Sequence, residues 1–233
     1  EGVVLNKDGS FQRTAKFRGP DLDSAVAAEL VAVAGRLNNA FRRLGSGWAI
    51  FVEAQRSEAA TYPADRFPDP ASALVDAERK ADFEEEGSHF VSGYFLTFLW
   101  LPPAEDAARS ESWLYEGRET SGVNPWELVR GFIDRTDRVL ALLDGFMPEC
   151  SWLDDAGTLT YLHSTISTNR HRVRVPEVPM HLDALLADQP LTGGLEPRLG
   201  NQHLRVLTIT GFPGTTTPGL LDEMNRLAFP YRW

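Results

Sequence analysis

Between residues 88 and 102 the chain reads SHFVSGYFLTFLWLP, and no other stretch restricts the fold as much. Its aromatic and branched side chains favour an extended strand. Its second half is apolar on both faces, as in a strand covered from two sides. A membrane-crossing helix needs about 20 apolar residues; the apolar run 94–101 is far shorter and stops at Pro102-Pro103. The chain is therefore expected to build a sheet with this strand in the middle and other elements over both faces. With 233 residues, 42% of them hydrophobic, it has the material for such a core.

The flanking sequence supplies partners. Asp8-Gly9 separates two apolar-containing runs, and a type I′ turn, which needs positive φ at both central residues, tolerates that pair. Residues 3–6 and 11–17 are expected to pair as an opening hairpin. Gly19-Pro20 ends the second strand, and Asp21 or Ser24 is placed to cap a helix. Its Val26, Leu30, Val33, Leu37, Phe41 and Leu44 recur at helical spacing before Gly45 stops it. Residues 47–55 (GWAIFVEAQ) read as a strand and 61–70 (TYPADRFPDP) as a surface loop. Residues 71–86 read as a helix whose glutamate-rich tail faces water.

An exposed connection is expected over 104–124. A helix follows in PWELVRGFIDRTDRVLALLDG, with Pro125 in its first turn. Asp154 or Asp155 caps the next helix, with Leu159, Leu162 and Ile166 turned inward. RHRVRVPEVP is extended and 181–187 form a short helix. Residues 203–213 alternate like a strand, 217–228 repeat like a helix, and PYRW begins a strand. Strands and helices interleave without a strict βαβ rhythm. The expected class is thus α+β: a mixed or antiparallel sheet with helices packed over it, opening with a β-hairpin, in a single domain over 1–233.

The chemistry legible in the sequence is sparse. A formal charge of -10 spread along the chain argues against a nucleic-acid-binding module, which needs a concentrated basic face. The single cysteine, Cys150, cannot form an intrachain disulfide and fits a reducing compartment. A phosphate loop needs Lys followed by Ser or Thr, but Lys7, Lys16 and Lys80 precede Asp8, Phe17 and Ala81. Gly45-Ser46-Gly47 follows a helix and precedes a strand, the reverse of a dinucleotide fingerprint. His89, His163, His171, His181 and His203 hold no i, i+4 pair, and His181-x-Asp183 alone does not make a metal site. No catalytic, cofactor-binding or metal-ligating residue is assigned. One basic run remains, NRHRVRV, in which Arg170, Arg172 and Arg174 share one face of an extended segment. It is either a contact for anionic lipid headgroups, a partner carboxylate or nucleic acid, or a charged edge that blocks aggregation.

Residues 4–54, VLNKDGSFQRTAKFRGPDLDSAVAAELVAVAGRLNNAFRRLGSGWAIFVEA, closely resemble the N-terminal region of the TrbE/CagE family of conjugal-transfer ATPases in bacterial type IV secretion systems. WLDDAGTLTYLHSTIS, VPEVPMHLDALLAD and HLRVLTITGFPGTTTPGLLDEMNRLAFPYRW continue the resemblance in order. It implies a parent ATPase at the cytoplasmic face of the inner membrane whose RecA-like motor, with its ATP and magnesium, energises pilus assembly and substrate or DNA transfer. The family's Walker motifs lie downstream of the YRW phrase, so this segment would inherit docking and assembly, not catalysis. The implied partners are other secretion components, including a small inner-membrane protein, with self-association of the full-length protein and no direct nucleic-acid contact. The missing initiator methionine and the strand-like AFPYRW ending fit an excised piece of a longer chain. A competing expectation is an autonomous enzyme or ligand-binding domain in which groups such as Glu84, Asp154 and His163 converge on folding.

Overall fold

The aromatic run forms the middle of a sheet. The computed structural model describes residues 2–22, 24–59, 61–63, 66–85, 87–103, 125–178, 180–216 and 220–233. In it, β4 (His89–Trp100) pairs with β2 (Phe11–Arg18) on one side and β3 (Trp48–Ala59) on the other. The order across the sheet is β1 (Val3–Leu5), β2, β4, β3 and β9 (Tyr231–Arg232). β5 (Glu149–Trp152) also pairs with β2, beyond the stretch that β1 occupies. Every pairing is antiparallel, so the class is α+β with the antiparallel alternative realised. The two-residue strands β6 (Leu191–Thr192), β7 (Arg198–Leu199) and β8 (Gln202–His203) form a small separate sheet.

Register decides which side chains share a face. Phe11, Trp100 and Trp48 lie abreast, as do Ala15, Leu96 and Val52. This face packs under α1 (Ala27–Phe41) and α3 (Pro125–Asp144), where Leu96, Phe98, Ala40, Val139 and Leu143 are buried together. Phe132 of α3 joins Phe11, Trp48 and Trp100 in a ring cluster with centroids 5.6–6.4 Å apart. The opposite face is more polar. Thr14 and Thr97 share a hydrogen bond of 2.9 Å there, and Phe95 meets Tyr161 of α4 (Asp155–Ile166) at 4.7 Å. β4 is thus covered on both sides, as its composition requires. A third apolar cluster, Leu159, Val173 and Leu186, joins α4 to α5 (Leu182–Leu186).

Several local expectations change. The opening hairpin forms, but with Gly9 alone at positive φ (80°), the Gly9 N–H donating to the Asn6 carbonyl and the Asn6 N–H to that of Ser10. This is a three-residue turn closed by a glycine bulge instead of a type I′ turn. Asp8 stays outside the left-handed region because its carboxylate accepts from the Ser10 N–H and hydroxyl. Neither Asp21 nor Ser24 caps α1. Val26 occupies that position, and Glu29 accepts its N–H at 2.9 Å. α2 (Pro70–Glu85) starts on Pro70, with Asp69 accepting from the Ala71 and Ser72 N–H groups. Its Glu84 and Glu85 face solvent.

In α4, Asp154 is the cap, accepting from the Gly157 N–H. Leu159 is buried and Leu162 partly so, but Ile166 is 40% exposed, because Tyr161 and Ser164 turn toward the polar face of the sheet instead. Residues 204–213 form no strand, since pairing stops at His203; of the helix expected over 217–228, residues 217–219 lie outside the described residues and residues 222–226 make a short 3₁₀ turn. PYRW does enter a strand, on the free edge of β3. The connection expected over 104–124 lies outside the described residues.

Candidate functional site

The polar face of the sheet is organised around Glu53. Strand alternation points this carboxylate away from the main core, and its side chain is only 17% exposed. Arg232 of β9 pairs with it, and the Tyr161 hydroxyl donates to its other oxygen at 2.7 Å. Burial, with Glu53 adding to it, pushes the Tyr161 hydroxyl up to about 12. Arg232 also donates to the Ser164 carbonyl at 2.6 Å, while Gln55 donates to the Ser164 hydroxyl at 2.9 Å. β3, β9 and α4 are thereby tied by charge-assisted bonds across a half-buried seam.

Beside this seam lies a cleft of about 520 Å³ between the sheet, α4 and the segment after it. Phe95, Leu153 and Tyr161 give it an apolar floor, and Arg170 and Arg172 stand in its wall. Val173 is buried against Leu159 and Leu186, so the residues on either side of it, Arg172 and Arg174, face outward. All three arginines of the basic run are exposed, as their alternation predicts. Their settings differ. Arg170 leans back to donate to Gln55 Oε1 at 3.3 Å; burial, then the nearby Arg232, lowers its pKa. Arg172 lies 3.7 Å from Asp154. Arg174 does not line the cleft.

Glu84, Asp154 and His163 do not converge. Glu84 is on the surface of α2, near Lys80 at 3.8 Å, and Asp154 caps α4 outside the cleft lining. Only His163 reaches the cleft, buried with Nε2 3.2 Å from Asp188 Oδ2 and its ring 4.5 Å from that of His171. The Asp188 carboxyl is held down at about 2, first by Asn169, then by Ser167 and His163. The Cys150 thiol is driven up to about 11 by burial and by Asp144, which disfavours its nucleophilic form. His181 stands at the start of α5 and Asp183 pairs with Lys7 at 2.6 Å. Among the described residues no three His, Cys, Asp or Glu side chains gather into a metal-binding set.

The Glu53 network is what reading the sequence missed. Its signal was a carboxylate inside the otherwise apolar GWAIFVEA strand, a position that folding tolerates only if a cation arrives from elsewhere. The cation came from 179 residues away, and nothing local to Glu53 names it.

Fold and site define an antiparallel α+β domain bearing an apolar-floored, arginine-walled cleft. Residues 2–108 match the family described as type IV secretion system ATPase VirB4/TrbE, N-terminal domain. The whole chain is 32% identical to the conjugal transfer protein TrbE of Rhizobium radiobacter, covering 30% of that protein's length. In Sinorhizobium fredii a probable conjugal transfer protein TrbE is recorded as two separate chains. A stretch of 104 residues, 43% of the present chain, is 41% identical to the first of them and covers 70% of it. A further 75 residues, 32% of the chain, are 35% identical to the second and cover 11% of it. The chain belongs to the VirB4/TrbE family of type IV secretion ATPases and carries its N-terminal domain.

Proposed function

We propose that this domain docks and assembles a conjugal-transfer ATPase on its secretion apparatus and does not itself hydrolyse ATP. The observation that carries this reading, beside the family's N-terminal position, is apolar surface left open. Val206, Leu207, Ile209 and Phe212 are 57–84% exposed along one irregular segment, with Val178 and Met180 also exposed. Several exposed apolar side chains along one segment fit an interaction surface. In this reading the ATP and magnesium sites belong to a motor elsewhere in the full-length protein. That protein works at the cytoplasmic face of the inner membrane, with other secretion components, including a small inner-membrane protein, and with copies of itself as partners. The domain makes no direct nucleic-acid contact, in keeping with the net charge of -10.

The test mixes the purified 233-residue chain with purified inner-membrane components of the same secretion system. Saturable binding, weakened by Val206→Ser together with Ile209→Ser, is expected, with no ATP hydrolysis above buffer. ATP turnover by the chain alone at a rate like that of the full-length ATPase would overturn the reading, and so would failure to bind any of those components.

A further inference from the structure

We infer that the cleft beside Arg170 and Arg172 receives an acidic peptide segment of a partner protein. An aromatic or aliphatic side chain of that segment rests on Phe95, Leu153 and Tyr161, and neighbouring carboxylates meet the two guanidinium groups. This rests on the docking reading and gives it a recognition chemistry.

Size comes first. Ligand sites commonly span roughly 300–1,000 Å³, and the cleft, at about 520 Å³, has room for one or two large side chains. Its floor is aromatic and aliphatic, so an apolar side chain placed there leaves water favourably.

Charge selects the rest of the ligand. Of the cations around the cleft, Arg232 is held by Glu53. Among the described residues Arg172 has the 3.7 Å contact with Asp154 as its ion pair, between side chains 76% and 70% exposed, which water screens and a better-placed carboxylate can replace. Arg170 has no carboxylate within ion-pair distance among the described residues. Its one hydrogen bond goes to a neutral amide. The planar guanidinium fork matches a carboxylate in two parallel hydrogen bonds, which the Gln55 oxygen cannot supply. Burial and the nearby Arg232 lower the Arg170 pKa, and the more distant Glu53 carboxylate opposes them only in part.

An anionic bilayer offers similar negative charge but fits less well. A bilayer faces a broad surface, and most of this chain would be repelled, given its net charge of -10. A peptide engages only the local basic wall.

The experiment pans a random-peptide display library on the 233-residue chain. The top sequence is then synthesised and titrated against wild type, Arg170→Glu with Arg172→Glu, Arg170→Gln with Arg172→Gln, and Arg174→Glu. Enriched peptides are expected to place Asp or Glu beside Trp, Phe or Leu. The double Glu variant should lose about tenfold or more in affinity, equivalent to about 1.4 kcal/mol. The double Gln variant should lose less, and Arg174→Glu less than about threefold, since that residue lies outside the cleft. Thermal melting of each variant separates lost recognition from lost folding, and the Gln pair serves if the Glu pair does not fold. The inference falls if no peptide is enriched, if enriched peptides lack carboxylates, or if folded double variants bind unchanged. It falls equally if phosphatidylglycerol vesicles, and not peptides, bind in a manner lost with Arg170 and Arg172. Unchanged peptide binding by the folded double variants, alongside retained binding of secretion components, would remove the cleft assignment and leave the docking reading standing.

Discussion

Glu53 and Arg232 show how one buried charge forces a distant residue into place. Removing Arg232 leaves the Glu53 carboxylate with the Tyr161 hydroxyl and little solvent. Arg232→Ala is expected to lower stability by about 2 kcal/mol, below the roughly 3–5 typical of a fully buried pair because both side chains keep some exposure. Glu53→Ala should cost a similar amount. The double variant should lose clearly less than the sum, since one interaction is removed twice; additive losses in urea unfolding would show that the two residues act independently. Cys150 gives a second expectation at this scale. With its thiol raised to about 11, the folded chain at about pH 8 should be alkylated by iodoacetamide on the order of a hundredfold more slowly than the urea-unfolded chain. Equal rates would contradict the burial described for it.

Among the elements, those that announce themselves by side-chain chemistry were legible and those that depend on a neighbour were not. β4 was readable because the aromatic density of its second half suits a strand covered on both faces, and α3 because Pro125 and a long amphipathic repeat mark it. The alternation in 203–213 was as regular, yet a strand exists only where another strand offers unpaired backbone groups. The free edge of β3 was taken by residues 231–232 instead. In α1 two good capping residues stood upstream, but the Glu29 carboxylate satisfied the Val26 N–H and the helix began there. The inward turn of Tyr161 and Ser164 in α4 could not be foreseen without knowing that the facing strand carries Glu53 and Gln55. The basic run was legible as exposed, but the cleft beside it was not, since its floor comes from β4, α4 and Leu153. Where a cap was both readable and realised, its worth can be measured. Asp154→Ala should destabilise the domain by about 1 kcal/mol, through loss of the bond from the Gly157 N–H. An unchanged midpoint would show that α4 is held by packing alone.

For the molecule as a whole, acid sensitivity follows from Asp188. Its folded pKa of about 2 lies below the ordinary value of 3.8, so its contribution to stability is present above that ordinary value. It fades as pH falls from about 4 toward 2, where the folded state no longer binds fewer protons than the unfolded one. The urea midpoint should drop across that window, and Asp188→Asn should remove some of the drop. A variant with the full wild-type pH dependence would assign it to other carboxylates.

The seam made by β9 has a kinetic meaning as well. Ala54 and Trp233 exchange backbone bonds, and Arg232 and Tyr231 lie opposite Gln55 and Arg56, across most of the chain's length, so closing this short pairing costs loop entropy that few contacts repay. In hydrogen exchange, the Trp233 amide and the facing Ala54 amide, which bond each other's carbonyls, should trade with solvent well before the amides of β4. Opening there would disengage Arg232 from Glu53 while leaving the central strands paired. The domain would thus have one edge that lets go without unfolding, a release point that includes Gln55 of the cleft lining.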